Sequence, residues 1–94
     1  MTEDEIRTLA SRMDAADVAI YTQPGCAYCE MAKQWLDANG FRYTECDIES
    51  DPGCAAAYKQ YLAIGTPYVV IKRAGKDRHL RNGFTSSAFL AALA

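Results

Sequence analysis

The sequence has no apolar run approaching the roughly 20 residues needed to cross a bilayer, so no membrane span is expected. It has no excess of positive charge either: ten Lys and Arg stand against twelve Asp and Glu, for a net charge of −2. That argues against the basic field that draws a protein to nucleic acid. Internal repeats, linkers and low-complexity tracts are absent. The opening Met1-Thr2-Glu3-Asp4-Glu5-Ile6-Arg7 is acidic and leads into no apolar core, unlike a secretory leader. The expected location is therefore the cytoplasm, where thiols are kept reduced.

What remains is a chain of 94 residues, half of them hydrophobic, with four cysteines. That length is one domain, 1–94, with one modest core. Cysteines in a reducing compartment point to catalysis or metal binding before a structural disulfide framework.

Thr2 and Glu5 make a capping box, and Ile6, Leu9, Ala10 and Met13 follow at helical spacing. A helical extension, 1–16, is expected, its helix ending near Asp14. Val18-Ala19-Ile20-Tyr21 reads as a buried strand, broken by Gln23-Pro24-Gly25. A helix from about Ala27 to Ala38 follows, closed by Asn39-Gly40 with Gly40 suited to the left-handed region. Phe41 to Asp47 alternates like a second strand, and the short joints imply a parallel crossover. Asp51-Pro52 starts a third helix, expected to run to about Ile64. Tyr68 to Ile71 is a strand, Ala74-Gly75-Lys76-Asp77 a turn, and 78–81 the returning strand. Thr85 caps a last helix. The simplest packing is α/β: a mixed four-stranded sheet with helices on both faces.

Cys26-Ala27-Tyr28-Cys29 falls between the first strand and its helix, and that context gives the pair its meaning. Thiol–disulfide exchange needs an accessible thiolate. A free thiol, with a pKa of about 8.5, is only ~3% ionised at pH 7; a fall of roughly 1.5 units makes it half ionised. Free N–H groups and the dipole at a helix start supply part or most of that. Cys26, ahead of the helix, is the expected attacker. Cys29, nearly one turn on and facing inward, is the expected resolver. A zinc site completed by Cys46 and Cys54 is the competing reading, weakened by their seven-residue spacing and by their place at a strand end and in a helix. Left to themselves, Cys46 reads as a small buried hydrophobe and Cys54 as an inert helix cysteine. Whether the two pair is left open. Tyr28 is expected in the substrate cleft, Trp35 and the other tyrosines in packing, and His79 in solvent. The acidic run Glu45, Asp47, Glu49, Asp51 and the basic run Lys72, Arg73, Lys76, Arg78, Arg81 read as solvated faces.

Three blocks, Tyr21-Thr22-Gln23-Pro24-Gly25-Cys26-Ala27-Tyr28-Cys29, then Gly65-Thr66-Pro67, then Asn82-Gly83-Phe84, resemble the glutaredoxin family of the thioredoxin superfamily over about residues 17 to 93. The resemblance implies a thioredoxin-like fold with a cis peptide before Pro67, exposing the Thr66 backbone for strand-like substrate pairing. It implies a dithiol oxidoreductase acting on protein disulfides or glutathione mixed disulfides, with glutathione as co-substrate. Glutathione is then expected at Gln23, Tyr28, Thr66, Pro67, Gly83, Phe84, Thr85 and Ser86, and the basic run is the segment that would steer so anionic a molecule. The other expected partners are disulfide-bearing proteins, and the expected form is a monomer. The sequence departs from the family at three places. Gln23 stands where a cation is common, which leaves Cys26 with less help in ionising. Thr85 and Ser86 stand where two acidic residues often bind the glutamyl amine, although N–H groups at a helix start still suit a carboxylate. Ala27 replaces a proline, as in relatives that share a [2Fe–2S] cluster between two subunits with glutathione as co-ligand. Carriers reduced by thioredoxin reductase also resemble the Asn82-Gly83-Phe84 ending.

Overall fold

The computed structural model describes all 94 residues. Its elements are α1 (Glu3–Ser11), a 3-10 turn (Ala15–Asp17), β1 (Val18–Thr22), α2 (Ala27–Ala38), β2 (Thr44–Asp47), α3 (Pro52–Gln60), β3 (Tyr68–Arg73), β4 (Lys76–Leu80) and α4 (Ser86–Ala92). The strand order is β2-β1-β3-β4. β1 pairs parallel with β2, while the β1–β3 and β3–β4 pairs are antiparallel. This is the mixed, helix-flanked sheet expected, with the extra helix at the N-terminus. No helix is long and apolar enough to cross a membrane.

The pleat sorts alternate residues to opposite faces. Val18 and Ile20 of β1 and Val69 and Ile71 of β3 join the larger core, with Leu36 of α2, Phe89 of α4, and Ala10 and Met13 from the N-terminal segment. Trp35, Phe41 and Phe89 pack there with centroids 5.0–5.7 Å apart. Tyr21, Tyr68 and Val70 face the other way and meet only α3, through Cys54, Ala57 and Tyr58, and Tyr61 just beyond it.

Several boundaries differ from expectation for local reasons. α1 stops at Ser11 because the Asp17 carboxylate instead accepts the Asp14 N–H at 2.8 Å, in the following 3-10 turn. β2 begins at Thr44: Phe41 turns into the core, its N–H bonded to the Leu36 carbonyl. α2 ends as Gly40 foretold, at φ +82°. α3 ends the same way but on Leu62, at φ +59°, with the Ala63 N–H returning to Tyr58 and that of Leu62 to Lys59. β4 starts early because Ala74 and Gly75, both at positive φ, make a two-residue hairpin turn.

The charged runs are not simply solvated. Arg73 donates to the Leu93 carbonyl, Arg78 to those of Ala92 and Ala94, and Arg81 to that of Tyr61, so three arginines tie down carbonyls around the ends of α4 and α3. Asp51 caps α3 through the Gly53 and Cys54 N–H groups. His79 is also not in solvent: its Nδ1 lies 2.8 Å from the Tyr68 hydroxyl and its ring 4.8 Å from that of Tyr61. β4 pairs His79 with Val70, and the pleat turns both toward α3.

Candidate functional site

β1 delivers the chain to Gln23-Pro24-Gly25, Gly25 turns it at φ +78°, and Cys26 becomes the N-cap of α2. A cap residue places its side chain over the free N–H groups of the first turn. Cys26 Sγ accordingly accepts the Cys29 N–H at 3.0 Å. From the turn that leads into β3, the Thr66 hydroxyl donates to the same sulfur at 3.4 Å. Two neutral donors therefore converge on Cys26 Sγ. In the oxidised state seen here, with Cys26 and Cys29 joined and their Cα atoms 5.2 Å apart, that sulfur occupies the place of the thiolate. Once the bond is reduced, both donors favour the anion. Cys26 is partly exposed, whereas Cys29 is only 1% exposed, behind it in the helix.

The Thr66-Pro67 peptide is cis. Thr66 and Pro67 form one wall of a groove of about 540 Å³. Gly83, Phe84, Thr85 and Ser86 form another, and Tyr28, Met31 and Trp35 of α2 the third. Thr85 caps α4 through the Ala88 N–H. No charged side chain lines this groove. Gln23 lies elsewhere, in a second groove of about 400 Å³ that it shares with Cys26, Lys33, Glu45 and Asp47. Cys26 thus stands on the polar side of the cis turn. The sequence-derived residues divide between the two grooves: Gln23 beside Cys26, the other seven around the apolar one.

The polar groove contains a cation that sequence reasoning passed over. Lys33 bonds Glu30 at 2.6 Å and Glu45 at 3.1 Å, and these partners, Glu30 first, raise its pKa above the ordinary lysine value. Its charge is thereby spent on two carboxylates. Met31 was also missed, although Tyr28, Met31 and Trp35 recur at the three- and four-residue spacing of one helix face. Asn82 joins the apolar groove, and Ile64, 96% exposed, rims a third hollow on the other side of Thr66 and Pro67.

The structure does not bring the four cysteines together as one ligand set. Cys46 and Cys54 are joined to each other, with Cα atoms 5.5 Å apart. No group of three or more His, Cys, Asp or Glu side chains is placed to hold a metal ion. In one chain the partly exposed Cys26 is the one active-site sulfur a ligand can reach, so a four-thiolate cluster would draw its other thiolates from outside the chain.

Comparison with known proteins supplies the family. The glutaredoxin family profile matches residues 18–74. The global transcriptional regulators Spx 1 of Bacillus cereus and Bacillus anthracis are each 37% identical over 59 residues, 60% of this chain and 45% of theirs. That of Oceanobacillus iheyensis is 32% identical over the same length. The matched segment thus spans less than half of these relatives. Among solved structures, the thioredoxin-like protein BC3987 superposes with a TM-score of 0.61 at 28% identity, covering 82% of this chain and 99% of its own. Its T8A mutant gives 0.60 at 27%, covering 81% and 96%.

Proposed function

The chain belongs to the glutaredoxin family, and from that premise we propose that it is a thiol–disulfide oxidoreductase using Cys26 as nucleophile and Cys29 as resolving thiol. The observation that carries this is the asymmetry of the pair. One sulfur is reachable and receives two hydrogen bonds; the other is buried one turn behind it.

The Cys26 thiolate attacks a substrate disulfide, forming a mixed disulfide and releasing one substrate thiolate. The Cys29 thiolate then attacks Cys26 Sγ, releasing the second substrate thiolate and closing the disulfide present in this structure. Two electrons pass to the substrate, and protons from solvent complete its thiols. Regeneration takes two thiols of glutathione. The first opens Cys26–Cys29 by bonding to Cys26, and the second attacks that glutathione sulfur, leaving glutathione disulfide. Thr66 positions the substrate: its hydroxyl holds Cys26 Sγ, and its backbone beside Pro67 pairs with an extended segment.

The lining of the grooves favours a protein disulfide over glutathione as the bound substrate. Glutathione carries two carboxylates and an ammonium, and the apolar groove has no charged side chain to meet them. Lys33, in the other groove, is already paired. Tyr28, 73% exposed, and Met31, 61% exposed, instead offer apolar contact to a polypeptide. The N–H groups at the start of α4, beside Thr85 and Ser86, are the remaining place for a glutathione carboxylate. We take the protein as a cytoplasmic monomer with no resident cofactor. Thioredoxin reductase is the alternative donor. A [2Fe–2S] cluster would need Cys26 from two copies and two glutathiones.

The deciding assay couples disulfide reduction to glutathione and its reductase, beside thioredoxin and its reductase. Turnover with the first supports the glutathione-dependent form; turnover with the second alone makes the protein a carrier. A second reading rests on the relatives named as transcriptional regulators. In a regulator the same dithiol acts as a sensor, and its oxidation rather than its turnover is the output. Oxidation of Cys26–Cys29 without turnover by either donor would favour that reading.

A further inference from the structure

α3 packs alone on its face of the sheet, and the Cys46–Cys54 disulfide sits where it joins the fold. Cys54 is the one buried residue of α3, and it lies in the first turn, next to the Asp51 cap. Cys46 is in β2, in register with Tyr21 of β1. The bond therefore ties the start of α3 to the sheet on the face that has no other helix. The far end of α3 feeds the active site. Tyr61 takes a hydrogen bond from Arg81, Leu62 turns the chain, and Thr66 follows with its hydroxyl on Cys26 Sγ.

We propose that Cys46 and Cys54 are a second, reversible thiol–disulfide couple, whose oxidation staples α3 to β2 and thereby holds the Thr66–Pro67 turn against Cys26. The staple stands independently of the oxidoreductase reading; its consequence for exchange rests on that reading. The oxidant is a low-molecular-weight disulfide such as glutathione disulfide. Cys46, the more exposed of the two, attacks as thiolate and releases one glutathione thiolate. Cys54, at the helix start where its thiolate is favoured, then displaces the second and closes the bond. The two cysteines lose two electrons, the glutathione disulfide gains them, and the two thiol protons leave with the glutathione thiolates.

The test first uses the intact chain, equilibrated with glutathione disulfide, alkylated and digested with trypsin. Lys33, Arg42 and Lys59 bound the digest so that Cys46 and Cys54 share the peptide 43–59, apart from Cys26 and Cys29. We expect that peptide lighter by two hydrogens, without alkyl groups. Two alkylated cysteines, or glutathione left on either, would overturn the couple. The second arm uses Cys26→Ser/Cys29→Ala, which removes the dithiol and any activity with it. Closing the short loop between Cys46 and Cys54 should raise its melting temperature by on the order of 10 °C over the reduced form. Reduction should also raise amide hydrogen exchange severalfold in both α3 and residues 61–66. An unchanged melting temperature overturns the staple, and faster exchange confined to α3 overturns its link to the Thr66 turn. Should this variant not fold, the same exchange measurement on the intact chain, with Cys54→Ser as the unstapled reference, decides the point. Neither arm depends on turnover, so inactivity toward disulfides would count against the oxidoreductase reading alone.

Discussion

The two faces of the sheet solve the same problem with different means. On one, three helices and the residues around them bury Val18, Ile20, Leu36, Val69, Ile71 and Phe89 in a continuous apolar cluster. On the other, a single helix meets a layer of tyrosines, with Tyr21, Tyr58, Tyr61 and Tyr68 in edge or stacked contact at 5.9–6.4 Å. The first face is held by apolar burial, which is non-directional and indifferent to pH and redox state. The second is held by phenol rings, a histidine and a disulfide, all of which respond to solution conditions. Each face also presents one cysteine pair at a helix start. The pair on the thick face caps its helix and opens to a groove; the pair on the thin face crosses from strand to helix.

The largest expected difference between the pairs is in activity. Cys26→Ser should abolish disulfide reduction. Cys29→Ser should keep reduction of small glutathione mixed disulfides and lose that of protein disulfides, because only the latter need an internal resolving thiol. Loss of both activities in Cys29→Ser would break the assignment of roles. In stability, Phe89→Ala on the thick face should cost about 3–5 kcal/mol by denaturant unfolding. Tyr58→Ala on the thin face, where the ring is half-buried, should cost only about 1–2 kcal/mol. Equal losses would mean that the two faces are equally packed.

The thin face should also carry the pH dependence. Burial, and next the Tyr61 hydroxyl, push Tyr21 up to about 12. Folding thus opposes its ionisation; the stability it contributes is full below the unfolded value near pH 10 and is lost as pH rises through about 12. His79 is lowered, chiefly by burial and then by Arg81, with Asp77 opposing. Its contribution is present above the unfolded value of about 6.5 and is lost as pH falls through the lower folded value. Melting curves of Tyr21→Phe and His79→Gln should flatten at the alkaline and acid ends respectively.

Gln23→Lys sharpens the polar groove. The pH midpoint of iodoacetamide reactivity at Cys26 should fall by about one unit, as a cation beside a thiolate favours ionisation. No fall would show that the two donors on Cys26 Sγ already saturate the effect. The smallest effect belongs to Leu62, 80% exposed and in the left-handed region. Leu62→Gly should stabilise by about 0.5 kcal/mol in denaturant melts, strain relief slightly outweighing the added freedom of the unfolded chain.

Elements were legible where the signal was local. The approximate bounds read for α2 match its extent because Gly25 and Gly40 bracket it, and each residue type belongs at its end. The end of α3 was missed because Leu62 takes a conformation that no sequence rule assigns to leucine. His79 was misread because a lone histidine on a short strand says nothing about which face the pleat gives it. The stripe of Tyr28, Met31 and Trp35 was available from helical spacing alone, yet its use as a groove wall needed Phe84 and Pro67 brought opposite. Cys46 and Cys54 carried no spacing rule, and their bond follows from β2 and α3 meeting on the thin face.

By itself the sequence determined what lies within one turn of the chain: a strand, a break, and a cysteine three residues ahead of another at a helix start. Those relations span three residues, and backbone geometry settles them without help from elsewhere. Only the tertiary structure decided that Thr66, 40 residues away, puts its hydroxyl on Cys26 Sγ, that Lys33 is already claimed by Glu30 and Glu45, and that the remaining cysteines meet. Such approaches depend on strand order and on the face to which each pleat points, and both are set by burial over the whole chain rather than by any short stretch of it.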